Sequence, residues 1–178
     1  MILHIHGFRT TANSQKAKLF ASHFGDDIIT PNYSFPPNAA ISDMEKVIEQ
    51  ENITGMIASS LGGYYASYLS SKYNLKTVLI NPSVEPHITT KKYLGAVQKN
   101  DGTIVEWRAE YLDDLRKLWV DELVPENYYL FLKTADEVLD YRVAKRRYLG
   151  AQMLIDNGGD HRFSDIMHHI DKIESFLS

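Results

Sequence analysis

Ser60 lies in the hexapeptide Ala58-Ser59-Ser60-Leu61-Gly62-Gly63, between the apolar run Met56-Ile57-Ala58 and the helix-like run Tyr64-Tyr65-Ala66-Ser67-Tyr68-Leu69. A strand, a small residue two before a serine, a glycine two after it and then a helix form the local order of a nucleophile elbow, in which the serine sits on a sharp, strained turn and projects its hydroxyl from the top of a sheet. Strand and helix can approach there only if both flanking positions are small. For Ser60 they are Ala58 and Gly62; for Ser59 they would be Ile57 and Leu61, which would clash. The frame therefore selects Ser60. Ala58 stands where the strict Gly-x-Ser-x-Gly pattern has its first glycine, and the hexapeptide also reads as an ordinary strand-to-helix turn with a serine cap.

A serine hydroxyl is a poor nucleophile until a base takes its proton. A neutral imidazole can do so, and a carboxylate can hold that imidazole in the right tautomer. Asp136 follows the apolar run Tyr128-Tyr129-Leu130-Phe131-Leu132, and His161 follows Met153-Leu154-Ile155 in the loop Asn157-Gly158-Gly159-Asp160-His161. Each thus falls at the carboxyl end of a predicted strand, where open α/β sheets place their ligands. Asp140 follows the same strand as Asp136 but reads better as a helix N-cap, so Asp136 is preferred as the acid. Asp160 adjoins the base and could instead steady its loop. The chain opens with Met1-Ile2-Leu3-His4-Ile5, a predicted strand that ends in His6-Gly7-Phe8.

With Ser, Asp and His in that order, each after a predicted strand, the chain resembles a small single-domain bacterial serine esterase of the α/β-hydrolase superfamily. The motifs are His6-Gly7-Phe8, Ser60-Leu61-Gly62-Gly63, Asp136-Glu137-Val138 and Gly159-Asp160-His161, so the similarity spans nearly the whole chain. The resemblance implies Ser60 as nucleophile, His161 as base and Asp136 as the acid that orients it. It implies an oxyanion hole made by the Phe8 and Leu61 N–H groups, with His6, Gly7 and Gly62 in support. It also implies hydrolysis of a small-molecule acyl ester or thioester through an acyl-enzyme, with no metal or organic cofactor. The superfamily usually has two further strands before the one that carries the oxyanion loop. This chain starts with that strand, which implies a minimal α/β-hydrolase fold of about six mostly parallel strands with helices on both faces.

The elements that must position these residues read as alternating strand and helix. Apolar runs predict strands near 2–5, 27–30, 54–58, 77–81, 128–132 and 152–155, and amphipathic stretches predict helices near 14–24, 39–51, 62–73, 110–122, 140–149 and 164–177. With 178 residues and 44% hydrophobic content, one domain is expected over 1–178 and disorder is not. A net charge of -4 gives no electrostatic reason to expect a nucleic-acid partner. No apolar stretch approaches the ~20 residues of a membrane span, and no signal peptide is visible. The chain has no cysteine, which excludes disulfides and thiol catalysis and fits the cytoplasm. There is no heptad seam to indicate an oligomer.

The segment from Pro82 to Pro125 is longer than one crossover helix needs and carries Tyr93, Trp107, Tyr111 and Trp119. In the superfamily an insertion at this point often forms a cap. Glu85 to Asn100 is read as part of a small cap within 82–125, and Tyr111 to Leu123 as the helix that packs on the sheet; the aromatics could instead all be core. Cap aromatics would favour an apolar acyl group or an aromatic leaving group. A rival chemistry uses His4 and His6, whose rings would share one strand face, with Asp160 and His161 as a hydrolytic metal site. A catalytically inactive binding protein with the same fold is the other alternative. His168-His169 and Lys145-Arg146-Arg147 are assigned no role.

Overall fold

The computed structural model describes residues 1–178. Eight strands form, in chain order β1 (Ile2–Ile5), β2 (Ile28–Ile29), β3 (Gly55–Ser59), β4 (Lys76–Ile80), β5 (Gly95–Gln98), β6 (Ile104–Trp107), β7 (Tyr128–Lys133) and β8 (Gln152–Asp156). Six of them build one sheet in the order β2-β1-β3-β4-β7-β8, every pair parallel. The register sets Ile5 beside Ala58, Ser59 beside Ile80, and Ile80 beside Phe131. His6, Ser60 and Asn81 therefore leave the sheet together at its carboxyl edge, and β7 and β8 end there at Lys133 and Asp156.

Seven α-helices accompany the strands: α1 (Gln15–Phe24), α2 (Pro37–Gln50), α3 (Leu61–Tyr73), α4 (Pro86–Thr89), α5 (Ala109–Lys117), α6 (Tyr141–Arg147) and α7 (Ile170–Leu177). Their ends follow local chemistry. Ser14 caps α1 by accepting from the Ala17 N–H, and Asp140 caps α6 by accepting from the Arg142 N–H. Proline at the first position starts α2, and Asn74 in the left-handed region ends α3.

Strand alternation divides the core into two layers. Ile57, Val78, Ile80 and Phe131 point to the layer closed by Phe20 of α1 and by Ile173 and Phe176 of α7. Met56, Ala58, Leu79 and Leu130 point to the other, closed by Met44 of α2, Leu69 of α3 and Leu115 of α5. A parallel sheet apolar on both faces must be covered on both, and these helices cover it. None of the helices is long and apolar enough to cross a membrane.

The structure departs from the predicted elements in several places, the added short helix α4 among them. β2 shrinks to two residues. α5 stops at Lys117 instead of continuing to 122, because Arg147 stacks over Trp119 and donates to the Val120 and Asp121 carbonyls, holding that stretch out of the helix. The last helix begins at Ile170, after a 3-10 turn over Ile166–His169, rather than at 164. The largest departure is the antiparallel hairpin β5–β6, which pairs Gly95 with Trp107 and Gln98 with Ile104 around the turn at Asp101-Gly102. Only Val97 and Trp107 of its eight strand residues are buried, so it carries almost no periodic apolar signal.

The four aromatics of that segment have separate fates. Trp107 is buried in the core against Phe8, Phe35 and Tyr111, with ring centroids 4.8, 5.3 and 5.3 Å away. Tyr93 packs on Phe8, and Trp119 is exposed beneath Arg147. Trp107 thus pins the hairpin to the Phe8 loop, and Trp107→Ala is expected to cost about 3–5 kcal/mol of stability, read by urea unfolding followed by far-UV circular dichroism.

Candidate active site

The turn between β3 and α3 holds Ser60 at φ 54°, a left-handed conformation that L-residues with a side chain rarely adopt. The turn is closed by the Ser60 N–H donating to the Ile80 carbonyl at 3.2 Å. The Ser60 carbonyl accepts in turn from the Gly63 N–H at 3.0 Å and from the Ser83 N–H at 2.9 Å. The helix then runs so close to β1 that a Cβ on Gly62 would lie 2.4 Å from the carbonyl oxygens of both Ile5 and His6. At Gly63 a Cβ would come within 2.7 Å of the Pro82 ring. Glycine is required at both positions because backbone and ring cannot yield that space.

Three residues far apart in the chain meet at this edge. His161 Nε2 is 3.1 Å from Ser60 Oγ, and His161 Nδ1 is 2.8 Å from Asp136 Oδ2. A carboxylate only accepts, so the Nδ1–H donates to Asp136, and Nε2 is left as the acceptor for the serine hydroxyl. The Asp136 side chain is 2% exposed, and its Oδ1 also accepts from the Val138 and Leu139 N–H groups, both at 2.8 Å. Asp140 is elsewhere, pairing with Arg142 while it caps α6. Asp160 accepts from the Ser164 hydroxyl within the His161 loop.

The loop after β1 faces Ser60: a Cβ on Gly7 would lie 3.3 Å from Ser60 Cβ. The Phe8 N–H has no acceptor within the protein. Leu61 is the first residue of α3, so its N–H has no intrahelical acceptor either. His6 shapes the loop: its ring stacks on Tyr33 at 4.2 Å, and Nδ1 lies 3.3 Å from the Thr10 hydroxyl, which itself donates to the Gly7 carbonyl. His4 has different neighbours, Phe20 edge-on and the Thr30 hydroxyl at 3.1 Å from Nδ1. β1 ends at Ile5, and His4 and His6 both line the cavity beside Ser60. No group of three or more His, Asp or Glu side chains is placed to hold a metal ion.

Residues that sequence reasoning passed over hold the His161 loop. Asn81, also at positive φ (41°), donates from Nδ2 to the Asp160 and His161 carbonyls and accepts at Oδ1 from the Lys133 N–H. Glu137 accepts from the His161 N–H at 2.9 Å. Lys133, 3% exposed, reaches Asp156 at 2.5 Å and Asp165 at 2.7 Å, and its ammonium lies 4.4 Å from the centre of the Phe163 ring. Burial disfavours its charge, but the two carboxylates outweigh burial and hold its pKa above the ordinary lysine value. A Cβ on Gly159 would strike its stem. The signal in the sequence was a lysine and an asparagine closing otherwise apolar strands.

Burial lowers the pKa of His4 to about 3, helped by the charges of Lys16 and His6. Burial also lowers His6 to about 4, against a raising hydrogen bond to the Gly7 carbonyl. Both rings are neutral in the folded protein, whereas the unfolded chain binds a proton near pH 6.5. Their contribution to stability is complete above that pH and is lost as the pH falls toward 4, at about 1.4 kcal/mol per unit for each ring. Urea unfolding between pH 6 and 4.5 is expected to show a slope shallower by about that amount in His4→Leu than in the wild type. Lys133→Met strands two carboxylates and is expected to cost about 1–3 kcal/mol, and to speed amide hydrogen exchange in the loop between Asn157 and Asp165.

Comparison with known proteins agrees with this architecture. A UPF0227 protein of Pectobacterium carotovorum is 26% identical over 193 residues, covering 99% of this chain and 98% of the relative. The mouse alpha/beta hydrolase domain-containing protein 10 superposes with a TM-score of 0.72 at 16% identity, over 99% of this chain and 88% of the mouse chain. The esterase domain of a Rhodothermus marinus protein gives a TM-score of 0.72 at 14% identity, over 98% and 85%. The fold is that of the α/β hydrolases. Residues 1–178 match the group described as an uncharacterised protein family, UPF0227, and the chain belongs to that family.

Proposed function

We propose that the protein is a carboxylic ester hydrolase with Ser60 as its nucleophile. The observation that carries this reading is the unbroken hydrogen-bonded line from Ser60 Oγ through the His161 ring to Asp136. In the first step His161 Nε2 takes the hydroxyl proton as Ser60 Oγ attacks the ester carbonyl carbon. The carbonyl oxygen becomes an anion, and the N–H groups of Phe8 and Leu61 stabilise it. Asp136 orients the ring and stabilises the imidazolium. The intermediate collapses as the carbon–oxygen bond to the alcohol breaks, and His161 gives its proton to the leaving oxygen. A water then attacks the acyl-enzyme with His161 again as base, which releases the acid and restores the serine. The same steps cleave a thioester.

The surroundings suit this chemistry. In this reading the Phe8 and Leu61 N–H groups, both without an acceptor inside the protein, would meet the developing charge from the β1 loop and the first turn of α3. A cavity of about 480 Å³ opens over Ser60, the volume of a small-molecule site. Thr90, Tyr93 and Asn100 line one side of it, so the segment from Glu85 to Asn100 acts in this reading as the cap. That the Rhodothermus marinus neighbour is an esterase domain is consistent with the assignment.

A fluorophosphonate probe followed by intact-mass analysis tests it. One adduct is expected on the wild type and none on Ser60→Ala. Hydrolysis of 4-nitrophenyl acetate and butanoate is expected to fall by about 10⁴-fold or more in Ser60→Ala and by at least about 10²-fold in Asp136→Asn. Wild-type turnover in Ser60→Ala on every ester cleaved would remove the proposal.

A further inference from the structure

The chain carries 23 acidic and 19 basic residues, yet none of the residues that line the cavity over Ser60 is an aspartate or glutamate. Three cationic residues do line it: Arg9, Lys16 and Arg162. None of the three is in an ion pair, so no carboxylate of the protein neutralises the cationic side of the cavity by direct contact. Lys16 and Arg162 make no side-chain hydrogen bond, and Arg9 spends only its Nε–H, on the Gln98 carbonyl at 2.9 Å.

Lys16 is the most telling of the three. It occupies the second position of α1, where the helix macrodipole is positive and an acidic side chain is the favourable choice. The first turn of α1 has no acid at all. The side chain is partly buried in the cavity wall, and burial pushes its pKa down to about 8 against the opposing pull of Asp160. At neutral pH the ammonium is therefore mostly charged, poorly hydrated and set where the helix repels it. A residue that breaks local rules with no partner inside the protein marks a place where a ligand supplies what is missing. A one-signed, concave wall also concentrates counter-ions from solution.

We infer that the cavity takes an ester or thioester whose acyl or leaving part carries an anionic group, a carboxylate or a phosphate, held by Lys16 with Arg9 and Arg162 nearer the mouth. This rests on the hydrolase reading above and narrows its substrate class. The anion occupies the wall formed by α1 and the loop after His161, while the ester carbonyl lies at Ser60.

Three esters separate the cases: neutral 4-nitrophenyl pentanoate, 4-nitrophenyl hydrogen glutarate with a charged acyl part, and the pentanoate ester of 4-hydroxyphenyl phosphate with a charged leaving part. Each is assayed on the wild type, on Lys16→Gln and on Lys18→Gln, an exposed control on the same helix outside the cavity. Lys16→Gln is expected to lower kcat/KM for at least one charged ester by about tenfold or more, the worth of one charge-assisted hydrogen bond. The neutral ester should change by no more than about twofold, and Lys18→Gln should change nothing. Loss for the glutarate ester alone identifies a carboxylated acyl group; loss for the phosphate ester alone identifies a phosphorylated alcohol. Equal effects on neutral and charged esters overturn the inference and leave the hydrolase reading intact. In parallel, glutarate and inorganic phosphate are titrated into both proteins by amide NMR. Saturable shifts at Lys16 and Arg162, weakened in Lys16→Gln, support the anion site whether or not these three esters are cleaved, and the fluorophosphonate experiment above decides the hydrolase reading separately. No saturable shift with either anion overturns the site.

Discussion

The left-handed backbone at Ser60 is the constraint on which the rest of the carboxyl edge depends. A non-glycine residue held there costs about 1–3 kcal/mol and persists only where its surroundings over-determine it. Here they do: strand β4 fixes the Ser60 N–H, and the Gly63 and Ser83 N–H groups fix its carbonyl. Because the turn is sharp, α3 passes against the end of β1, and Gly62 and Gly63 admit it without a side chain. The same closeness brings the loop of Gly7 and Phe8 over the serine. One strained dihedral thus sets the hydroxyl, the start of the helix and the neighbouring loop at once.

A second support is independent of the first. Asn81 links the end of β4 to the loop that carries His161, and Lys133 links the end of β7 to β8 and to the turn at Asp165. Phe163, at φ 52° and fully buried, anchors the far side of that loop beneath the Lys133 ammonium. The imidazole is therefore held through the backbone of its own loop as well as by Asp136. Charge that would be costly alone in an apolar layer is tolerable at Lys133 because two carboxylates meet it.

The six parallel strands were legible because each is a short apolar run with turn residues on either side, and because burial on both faces removes any need for polar alternation. Positions 60, 136 and 161 stood out for the same reason, since each follows such a run. Sequence spacing could not give their separations, which depend on register across three strands. Asn81 and Lys133 went unread because a single polar residue at a strand end is ordinary until its partners, 79 and 32 residues away, are known. The hairpin β5–β6 was hidden because its exposed alternation mixes Ala96, Gln98, Ile104 and Glu106, although the Asp101-Gly102 turn between its strands was a usable signal. The cations of the cavity wall were invisible as a group, since Arg9, Lys16 and Arg162 meet only in the folded chain.

The hairpin is fastened to the loop beneath it twice, by the Arg9 Nε–H on the Gln98 carbonyl and by the Asn100 N–H on the Arg9 carbonyl at 2.8 Å. Phe8, between Tyr93 and Trp107, is wedged into the same junction. Asn100 of the hairpin turn and the Phe8 loop both line the cavity, so its rim and the Phe8 amide share these fastenings. A hairpin that swings outward to admit a bulkier guest drags the amide with it. In the proposed chemistry, selectivity against large substrates would then be exerted on turnover as much as on affinity, and the entrance could not be re-engineered as a detachable part.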